Sequence, residues 1–378
     1  MTRPADRLRY TFADGRRGEV GAAESPLRCD RDQLVGAGDR SAPWVRVALN
    51  LTETQFTSHG QSLHGVLIEP PGATAASPLV VLVHGSERTS PTTGSYPYIL
   101  AALGLRVFAY DKRGTGQSEG EYTQNFELLA DDAAAAFAEA RRLAAGRFTE
   151  IGYFGGSQGG WVAPLAATRS DPQFVAVGFG LMASPIEEDR DQVLTELRGQ
   201  GASAQVLAAA REVTDATATL VRSHFTEGFD ALAAVKARYG DSSWFRSIRG
   251  EYTGGILASS EADLRRIGRA RFDNLELIWD YDAMAALPRV RARQLWILAE
   301  EDREAPPSVT LERLSRVRRD GADLEIYSFP GTDHGMVEYT RAPDGSRSYG
   351  RITDGYFRLL ADWIAGRISG RYGRARQR

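Results

Sequence analysis

The chain has 378 residues, of which 42% are hydrophobic and 25% are charged, and its formal net charge at pH 7 is −3. This length allows a large core and about two or three folded units, while the small negative charge gives no electrostatic footprint for nucleic acid. No apolar run reaches the ~18 residues that a membrane span needs. The single cysteine, Cys29, excludes an internal disulfide and a cysteine-based metal cluster. We therefore expect a globular protein that neither binds nucleic acid nor spans a membrane.

The first 56 residues carry no chemical signal. In the stretch RYTFADGRRGEV, Asp14 and Gly15 lie between alternating residues, which predicts a β-hairpin. The opening residues include arginines but no apolar segment of a secretory signal, so the chain as it stands is expected to be cytoplasmic. A periplasmic or secreted protein whose leader has been removed would look the same.

Strand and helix patterns alternate from Pro78 onward, which predicts a mostly parallel, doubly wound sheet with helices on its faces. The runs LVVLV and FVAVGF are apolar at consecutive positions, as expected for central strands that are covered on both sides. The predicted strands are residues 79–83, 105–110, 151–154, 174–179, 294–299 and 324–329. The predicted helices are residues 97–103, 126–143, 161–167 and a last one bearing Phe357, Leu360, Ala361 and Ile364.

A segment of different character, residues 186–285, interrupts this alternation. It is rich in helix formers with apolar residues at helical spacing, which predicts a mostly helical cap inserted after the sixth strand. Its aromatic residues either line a pocket that faces the sheet or pack inside the insert. They are Phe225, Trp244, Phe245 and Trp279.

The chain is thus expected to divide into five segments. They are an N-terminal extension (1–56), the first half of the core (57–185), the cap (186–285), the second half of the core (286–368) and a basic tail (369–378). We expect the arginine-rich tail to be frayed and solvated.

The stretch GGSQGGW, residues 155–161, places Ser157 in a G-x-S-x-G pattern between a predicted strand and a predicted helix. A serine on such a sharp turn takes a strained backbone conformation, and side chains two positions away would collide with the strand and the helix. The helix N-terminus also brings free N–H groups and a positive dipole end to the hydroxyl. The pattern predicts a nucleophile, and the alternative is a glycine-rich turn with an incidental serine.

A serine hydroxyl needs a base to become a nucleophile. Of the five histidines, His334 in PGTDHGM follows a late strand and is the predicted base. His59 and His64 precede the parallel strands and are expected to be surface or packing residues, while His224 lies in the insert.

The base in turn needs a carboxylate that fixes its tautomer. In LAEEDREAPP, which follows the strand at residues 294–299, Asp302 is the best-placed acid. The chain order Ser157, Asp302, His334 is the order expected for a strand-turn-helix nucleophile. The competing carboxylates are Glu300, Glu301, Glu304 and Asp333.

The stretch HGS, residues 84–86, follows the first core strand, where a second oxyanion donor is expected. The predicted donors are the backbone N–H groups of Ser86 and Gln158, and His84 is expected to brace the loop. The stretch DKRGTGQSEG, residues 111–120, lacks the spacing of a phosphate-binding or dinucleotide-binding loop and is expected to form a structured turn. No metal-binding motif occurs, so neither a metal nor a cofactor is expected.

These motifs, HGS, DKRGTGQSEG, GGSQGG, LAEEDREAPP and GTDHG in this order, resemble the α/β-hydrolase superfamily over about residues 57–368. With the long insert, GGSQGGWVAPLAA resembles bacterial serine esterases and related aminopeptidase-like hydrolases. The resemblance implies an α/β-hydrolase fold, a triad of Ser157, Asp302 and His334, no cofactor, and a cap over the site.

The function that these residues favour is hydrolysis of a small or medium-sized carboxylic ester through an acyl-enzyme on Ser157. The alternatives are a serine peptidase or amidase acting on short peptides, an acyl thioesterase, and a non-catalytic protein that binds a small ligand under its cap. The intact serine, acid and histidine argue against the last alternative. No motif identifies the substrate or the oligomeric state.

Overall fold

The structure is a computed structural model that describes residues 8–12, 14–20, 27–30, 33–36, 44–45, 47–343 and 345–378. The strands within these residues are β1 (Leu8–Thr11), β2 (Arg17–Val20), β3 (Leu27–Asp30), β4 (Gln33–Gly36), β5 (Trp44–Val45), β6 (Asn50–Ser58), β7 (Gln61–Glu69), β8 (Leu79–Val83), β9 (Arg106–Tyr110), β10 (Ile151–Gly156), β11 (Phe174–Gly178), β12 (Arg293–Ala299), β13 (Leu324–Phe329), β14 (Thr332–Asp333), β15 (Val337–Arg341), β16 (Arg347–Ile352) and β17 (Arg376–Gln377). The α-helices are α1 (Ser95–Ala102), α2 (Phe126–Leu143), α3 (Gly159–Ala167), α4 (Pro185–Gly199), α5 (Ala204–Arg222), α6 (Phe229–Tyr239), α7 (Ser243–Ser247), α8 (Thr253–Ala258), α9 (Glu261–Phe272), α10 (Ala283–Ala286), α11 (Pro307–Arg319) and α12 (Tyr356–Ile364).

A nine-stranded sheet forms the centre of the fold, in the order β17-β13-β12-β11-β10-β8-β9-β7-β6. The strands from β13 to β9 in this order run parallel, whereas β7, β6 and β17 pair antiparallel with their neighbours. The predicted core strands and helices are confirmed to within a few residues. The chain passes from β8 to β9 on one side and then to β10 on the other, so the strand order reverses at β8. Ligands of open α/β sheets bind at the carboxyl ends of the strands at such a reversal.

Two layers of helices cover the two faces of this sheet. Every residue of β8 and β9 is buried, as the continuous apolar runs predicted. Successive residues of β12, Trp296 and Ile297, enter different core clusters because side chains alternate across a strand. Helices α2, α3 and α11 contribute to the cluster of Trp296, and α1 and α12 contribute to that of Ile297.

Helices α4 to α9 lie between β11 and β12, and we call these helices and the segment that follows them, up to Trp279, the helical insert (residues 185–279). Ser184 and Glu187 form a capping box at the start of α4, with Pro185 in its first turn. The apolar sides of the insert helices pack in a core cluster of their own. The aromatic residues belong to this cluster or pack against it, so they pack inside the insert; they are Phe225, Trp244, Phe245 and Trp279.

The two ends of the chain add strands. At the N-terminal end, β1 and β2 pair antiparallel around a turn that contains Asp14 and Gly15. The prediction of a frayed C-terminal tail was wrong, because β17 pairs with residues Tyr327 and Ser328 of β13. An edge strand such as β13 has unpaired N–H and C=O groups, and β17 pairs with them. The side chain of Arg378 also donates to Ser328 Oγ at 2.6 Å. Among the described residues, no helix is long and apolar enough to cross a membrane.

The turn at residues 111–120 is structured, as predicted, and a buried ion pair ties it to α2. The Asp111 carboxylate accepts the Gln117 N–H at 3.0 Å within the turn. Arg113 donates to both carboxylate oxygens of Asp132 at 2.7 and 2.5 Å, and the two side chains are only 7% and 1% exposed.

We expect Asp132→Ala to lower the free energy of unfolding by about 3–5 kcal/mol, because it leaves the Arg113 charge buried without its partner. Urea denaturation followed by circular dichroism would measure the change. The control is Asp263→Ala, which breaks the exposed pair with Arg266 on α9 and should barely move the midpoint. Equal midpoints for the two variants would contradict a stabilising role for the buried pair.

Candidate active site

Ser157 lies on the turn between β10 and α3, at the carboxyl edge of the sheet. Its φ angle is 51°, in the left-handed region that residues other than glycine rarely adopt. Holding a serine in this backbone conformation costs about 1–3 kcal/mol. Two backbone hydrogen bonds hold this conformation: Ser157 N–H donates to Gly178 O at 3.1 Å, and Ser157 O accepts from Gly160 N–H at 2.7 Å. The turn therefore has the strained geometry that the G-x-S-x-G pattern predicted.

The glycines beside Ser157 are required by close backbone contacts. A Cβ on Gly155 would lie 2.3 Å from the carbonyl oxygen of Gly159, and a Cβ on Gly159 would lie 2.7 Å from the carbonyl oxygen of Val83. Because backbone atoms cannot move aside, neither position accepts a side chain. The backbones of β10, α3 and β8 therefore meet around the serine.

The structure brings Ser157, His334 and Asp302 together. His334 Nε2 is 3.1 Å from Ser157 Oγ. On the other side of the ring, His334 Nδ1 is 3.0 and 3.2 Å from the two carboxylate oxygens of Asp302. This arrangement can pass a proton from the hydroxyl to the imidazole while the carboxylate fixes the tautomer.

Asp302 follows β12 and is 2% exposed. Its Oδ1 atom accepts the backbone N–H groups of Glu304 at 3.1 Å and of Ala305 at 2.7 Å. These two bonds fix the carboxylate in place while leaving Oδ2 to His334. The acid is therefore both buried and oriented.

The competing carboxylates bind elsewhere. Asp333 accepts the Tyr349 hydroxyl at 2.7 Å and the Arg303 N–H at 2.9 Å, and it pairs with the Arg347 guanidinium. Glu301 accepts the N–H groups of Gly331 and Thr332, and Glu300 accepts the Ser328 hydroxyl. Of the predicted competitors, Glu304 is the one that reaches the His334 ring, on its serine side.

The other histidines have partners away from Ser157. His59 pairs with Asp131, His64 with Asp111, and His224 with Asp273. His84 Nε2 bonds the Tyr110 carbonyl at 2.7 Å, which braces the loop as predicted. Burial, followed by the nearby Lys112 charge, lowers the pKa of His84 to about 3, so this ring is neutral at ordinary pH.

The loop at residues 84–86 lies against Ser157. A Cβ built on Gly85 would be 3.4 Å from the Cβ of Ser157. Within the part of the chain that the structure describes, neither the Ser86 N–H nor the Gln158 N–H has a hydrogen-bond acceptor. Free N–H groups beside a nucleophile can receive a developing oxyanion.

Carboxylates other than Asp302 also act electrostatically on this region; the sequence named Glu304 as a competing acid, but neither Glu188 nor Glu251. Glu304 Oε1 is 3.4 Å from His334 Nε2, and the Glu304 side chain is 48% exposed. Burial, then repulsion from Glu304, raises the pKa of Glu251 to about 7. Burial, then repulsion from Glu251, raises the pKa of Glu188 well above its usual value. The sequence holds no local signal for this grouping, because Glu188 and Glu251 come from the insert.

A cavity of about 510 Å³ opens beside His334, between the core and the insert. The core contributes His334, Glu304 and Arg303 to its lining, and α4 contributes Gln192 and Glu196. A molecule bound in this cavity would contact both the His334 imidazole and the insert.

Several effects set the proton affinity of His334, whose side chain is 19% exposed. Burial lowers its pKa, but attraction to Asp302 and the hydrogen bond between them outweigh the burial, and the result is a pKa raised to about 9. Glu304 and Asp333 add to the increase. The carboxylates around the ring therefore stabilise its protonated form.

Comparison with known proteins agrees with this architecture. The model of a family described as serine aminopeptidase S33, Hydrolase_4, matches residues 74–224, which include Ser157. The chain has the α/β-hydrolase fold. The resemblance to the α/β-hydrolase superfamily noted in the sequence is confirmed. No curated protein matches the chain at a significant level.

Solved α/β-hydrolase structures are similar to this chain at low identity. An esterase from Pyrococcus furiosus is 14% identical, with a TM-score of 0.46 over 76% of this chain and 83% of that one. A proline iminopeptidase from Mycobacterium smegmatis is 18% identical, with a TM-score of 0.47 over 84% of this chain and 98% of that one. An acylaminoacyl peptidase from Pyrococcus horikoshii is 18% identical, with a TM-score of 0.45 over 77% of this chain and 38% of that one.

We expect Asp302→Asn to lower the pKa of His334, because it removes the negative charge that raises the pKa to about 9. Titration of the imidazole by ¹⁵N NMR would measure the pKa in both proteins. Asp131→Asn, beside His59, is the control and should leave the His334 titration unchanged. An unchanged His334 pKa in Asp302→Asn would show that Asp302 does not set it.

Proposed function

We propose that the protein is a serine hydrolase that cleaves a carboxylic ester of a small or medium-sized substrate through an acyl-enzyme on Ser157. The observation that carries the proposal is the continuous chain of contacts from Ser157 Oγ through the His334 ring to Asp302, at 3.1 and 3.0 Å. Ester chemistry is favoured over amide chemistry because an alcohol leaving group needs less assistance than an amine. The reaction uses side chains and backbone groups alone.

In the first half of the reaction, Ser157 Oγ attacks the ester carbonyl while His334 Nε2 takes the hydroxyl proton. The carbonyl oxygen becomes negatively charged and accepts hydrogen bonds from the N–H groups of Ser86 and Gln158. Asp302 accepts the Nδ1–H and stabilises the imidazolium. His334 then gives its proton to the leaving alkoxide, and the alcohol departs from the acyl-enzyme.

In the second half, water attacks the acyl-enzyme and His334 takes a proton from it. The second tetrahedral intermediate uses the same two backbone donors, and its collapse returns the proton to Ser157 and releases the acid. Because only neutral imidazole accepts a proton, the raised pKa of His334 favours hydrolysis at alkaline pH.

We expect Ser157→Ala to lower ester turnover by roughly 10⁴–10⁶-fold, because it removes the only nucleophile in the scheme. The measurement is hydrolysis of p-nitrophenyl esters from acetyl to dodecanoyl, run beside aminoacyl p-nitroanilides, with circular dichroism to check the fold. The chain-length optimum of the ester series would give the size of the acyl pocket.

Ser86→Ala is the matched control, because the scheme uses the backbone N–H of Ser86 and not its hydroxyl. This control should keep most of its activity. Near-normal turnover in Ser157→Ala would refute the proposal, whereas cleavage of anilides alone would favour amide chemistry.

The carboxylates beside the base support a second candidate, a peptidase or amidase whose substrate carries a positive charge. Glu304 Oε1 is 3.4 Å from His334 Nε2. After burial, repulsion from Glu304 helps to raise the pKa of Glu251, and repulsion from Glu251 and Glu304 helps to raise the pKa of Glu188. Repulsion among neighbouring carboxylates is relieved by a bound cation. A substrate with a free amino group would supply that cation.

We expect Glu304→Gln to raise KM for alanine p-nitroanilide by about tenfold or more, because a hydrogen bond to a charged group is worth about 1.5–3 kcal/mol. KM for neutral p-nitrophenyl butyrate should change little. Glu312→Gln, on the exposed side of α11, is the control and should affect neither substrate. An equal change for both substrates, or none, would count against recognition of a cation by Glu304.

A further inference from the structure

A buried lysine lies directly behind the loop that carries one of the proposed oxyanion donors. Lys112 is 2% exposed, and its Nζ donates to the carbonyl oxygen of Gly85 at 2.7 Å. The same ammonium lies 4.8 Å from the centre of the Tyr122 ring, whose hydroxyl donates to the carbonyl oxygen of Ser86. Two donors from one segment, residues 112–122, therefore hold two consecutive carbonyls of the loop.

The bond to Gly85 fixes the direction of the next N–H. The described chain has no cis peptide bond, so the Gly85 carbonyl and the Ser86 N–H point in opposite directions from one planar unit. With the carbonyl held by the buried ammonium, the N–H turns away from Lys112. Gly85 itself lies against Ser157, since a Cβ added to this glycine would be 3.4 Å from the Cβ of the serine.

We infer that Lys112 is a positioning residue for catalysis, which aims and polarises the Ser86 N–H toward the oxyanion through the Gly85 carbonyl. The inference rests on the proposed serine-hydrolase function. A cation bound to the carbonyl draws electron density through the peptide group, which makes the N–H a stronger donor. Tyr122 assists by fixing the following carbonyl.

The choice of lysine agrees with this role. Only two of the chain's 46 basic residues are lysines, and an ammonium is a compact charge that fits a single carbonyl, whereas a guanidinium is a broad fork. Among the described residues, no carboxylate forms an ion pair with Lys112, so its burial is costly. A buried ammonium with a single hydrogen-bond acceptor, the Gly85 carbonyl, contributes little to stability. A role in the site explains the presence of Lys112 better.

The groups around Lys112 keep it charged at neutral pH. Burial lowers its pKa to about 8, Glu87 raises the pKa, and Arg88 lowers it. The other ionisable neighbours are the neutral His84, the carboxylate of Asp111 and the phenol of Tyr122, whose pKa burial raises. The ammonium form therefore predominates below pH 8.

The test is Lys112→Met, which keeps the length of the side chain and removes its charge and donors. We expect kcat for p-nitrophenyl butyrate to fall by about tenfold or more, less than the ~10²–10³-fold loss that follows removal of an oxyanion donor itself. KM should change by less than about twofold, because the effect arises in the transition state. Titration of Ser157 with a fluorophosphonate would count the folded sites, so that kcat is expressed per active site.

A second readout separates positioning from a purely structural role. A trifluoromethyl ketone, which forms a tetrahedral adduct with the serine, should bind Lys112→Met more weakly by about the same factor as kcat falls. Butyrate, the product acid, should bind both proteins equally. Parallel weakening of both ligands, or kcat within about twofold of the parent, would overturn the inference.

Three further variants complete the experiment. Lys112→Arg keeps a cationic donor and should retain more activity than Lys112→Met. Lys236→Met removes the other lysine, which also donates to a backbone carbonyl, that of Ser259, and should leave kcat unchanged. If Lys112→Met does not fold, Lys112→Gln serves instead, because it keeps a polar side chain but removes the charge, and an unchanged kcat in that variant would overturn the inference. Failure of the proposed function would appear separately, as activity that persists in Ser157→Ala.

Discussion

The close approach of three backbones at residues 155–159 is the constraint on which the site depends. The glycines at both ends of this segment let β10, α3 and the end of β8 come within contact distance. That approach forces Ser157 to a φ of 51° and presents its hydroxyl at the carboxyl edge of the sheet. The strain is about 1–3 kcal/mol and is borne by a sheet whose central strands are wholly buried. A looser turn would let the serine relax away from the base.

The charges around Ser157 are arranged with opposite signs on its two sides. Asp302 and Glu304 lie beside His334, where they stabilise the positive form that the ring would take in the proposed reaction. Lys112 lies behind the residue 84–86 loop, where negative charge would develop on the substrate oxygen. The negative side chains therefore lie where the proposed reaction brings a proton, and the positive side chain lies where it brings an electron pair. It is produced by four segments of the chain that only the fold brings together.

The parts that could be predicted from the sequence are those that local physics determines. The strand at residues 79–83 and the turn at Ser157 follow from apolar runs and glycine spacing, and the sequence also pointed to the three residues that the fold brings into contact, Ser157, Asp302 and His334. The choice of Asp302 over Asp333 also agrees with the geometry, because Asp333 is taken up by Arg347 and Tyr349. The docked tail, the Lys112 contact and the carboxylates from the insert could not be predicted, since each depends on residues far apart in the chain.

The core and the insert would contribute different groups to the proposed reaction. All groups that would move a proton or receive the oxyanion come from the core, at the ends of β8, β10, β12 and β14. The insert adds Gln192 and Glu196 to the cavity wall, and its Glu188 and Glu251 respond to the carboxylates of the core. Because burial and Glu304 raise the pKa of Glu251 to about 7, the charged fraction of this carboxyl would increase if the proposed cationic substrate bound beside it. In the proposed reaction, changes in the insert would therefore alter the cavity wall while leaving in place the contacts among Ser157, His334 and Asp302, which all come from the core.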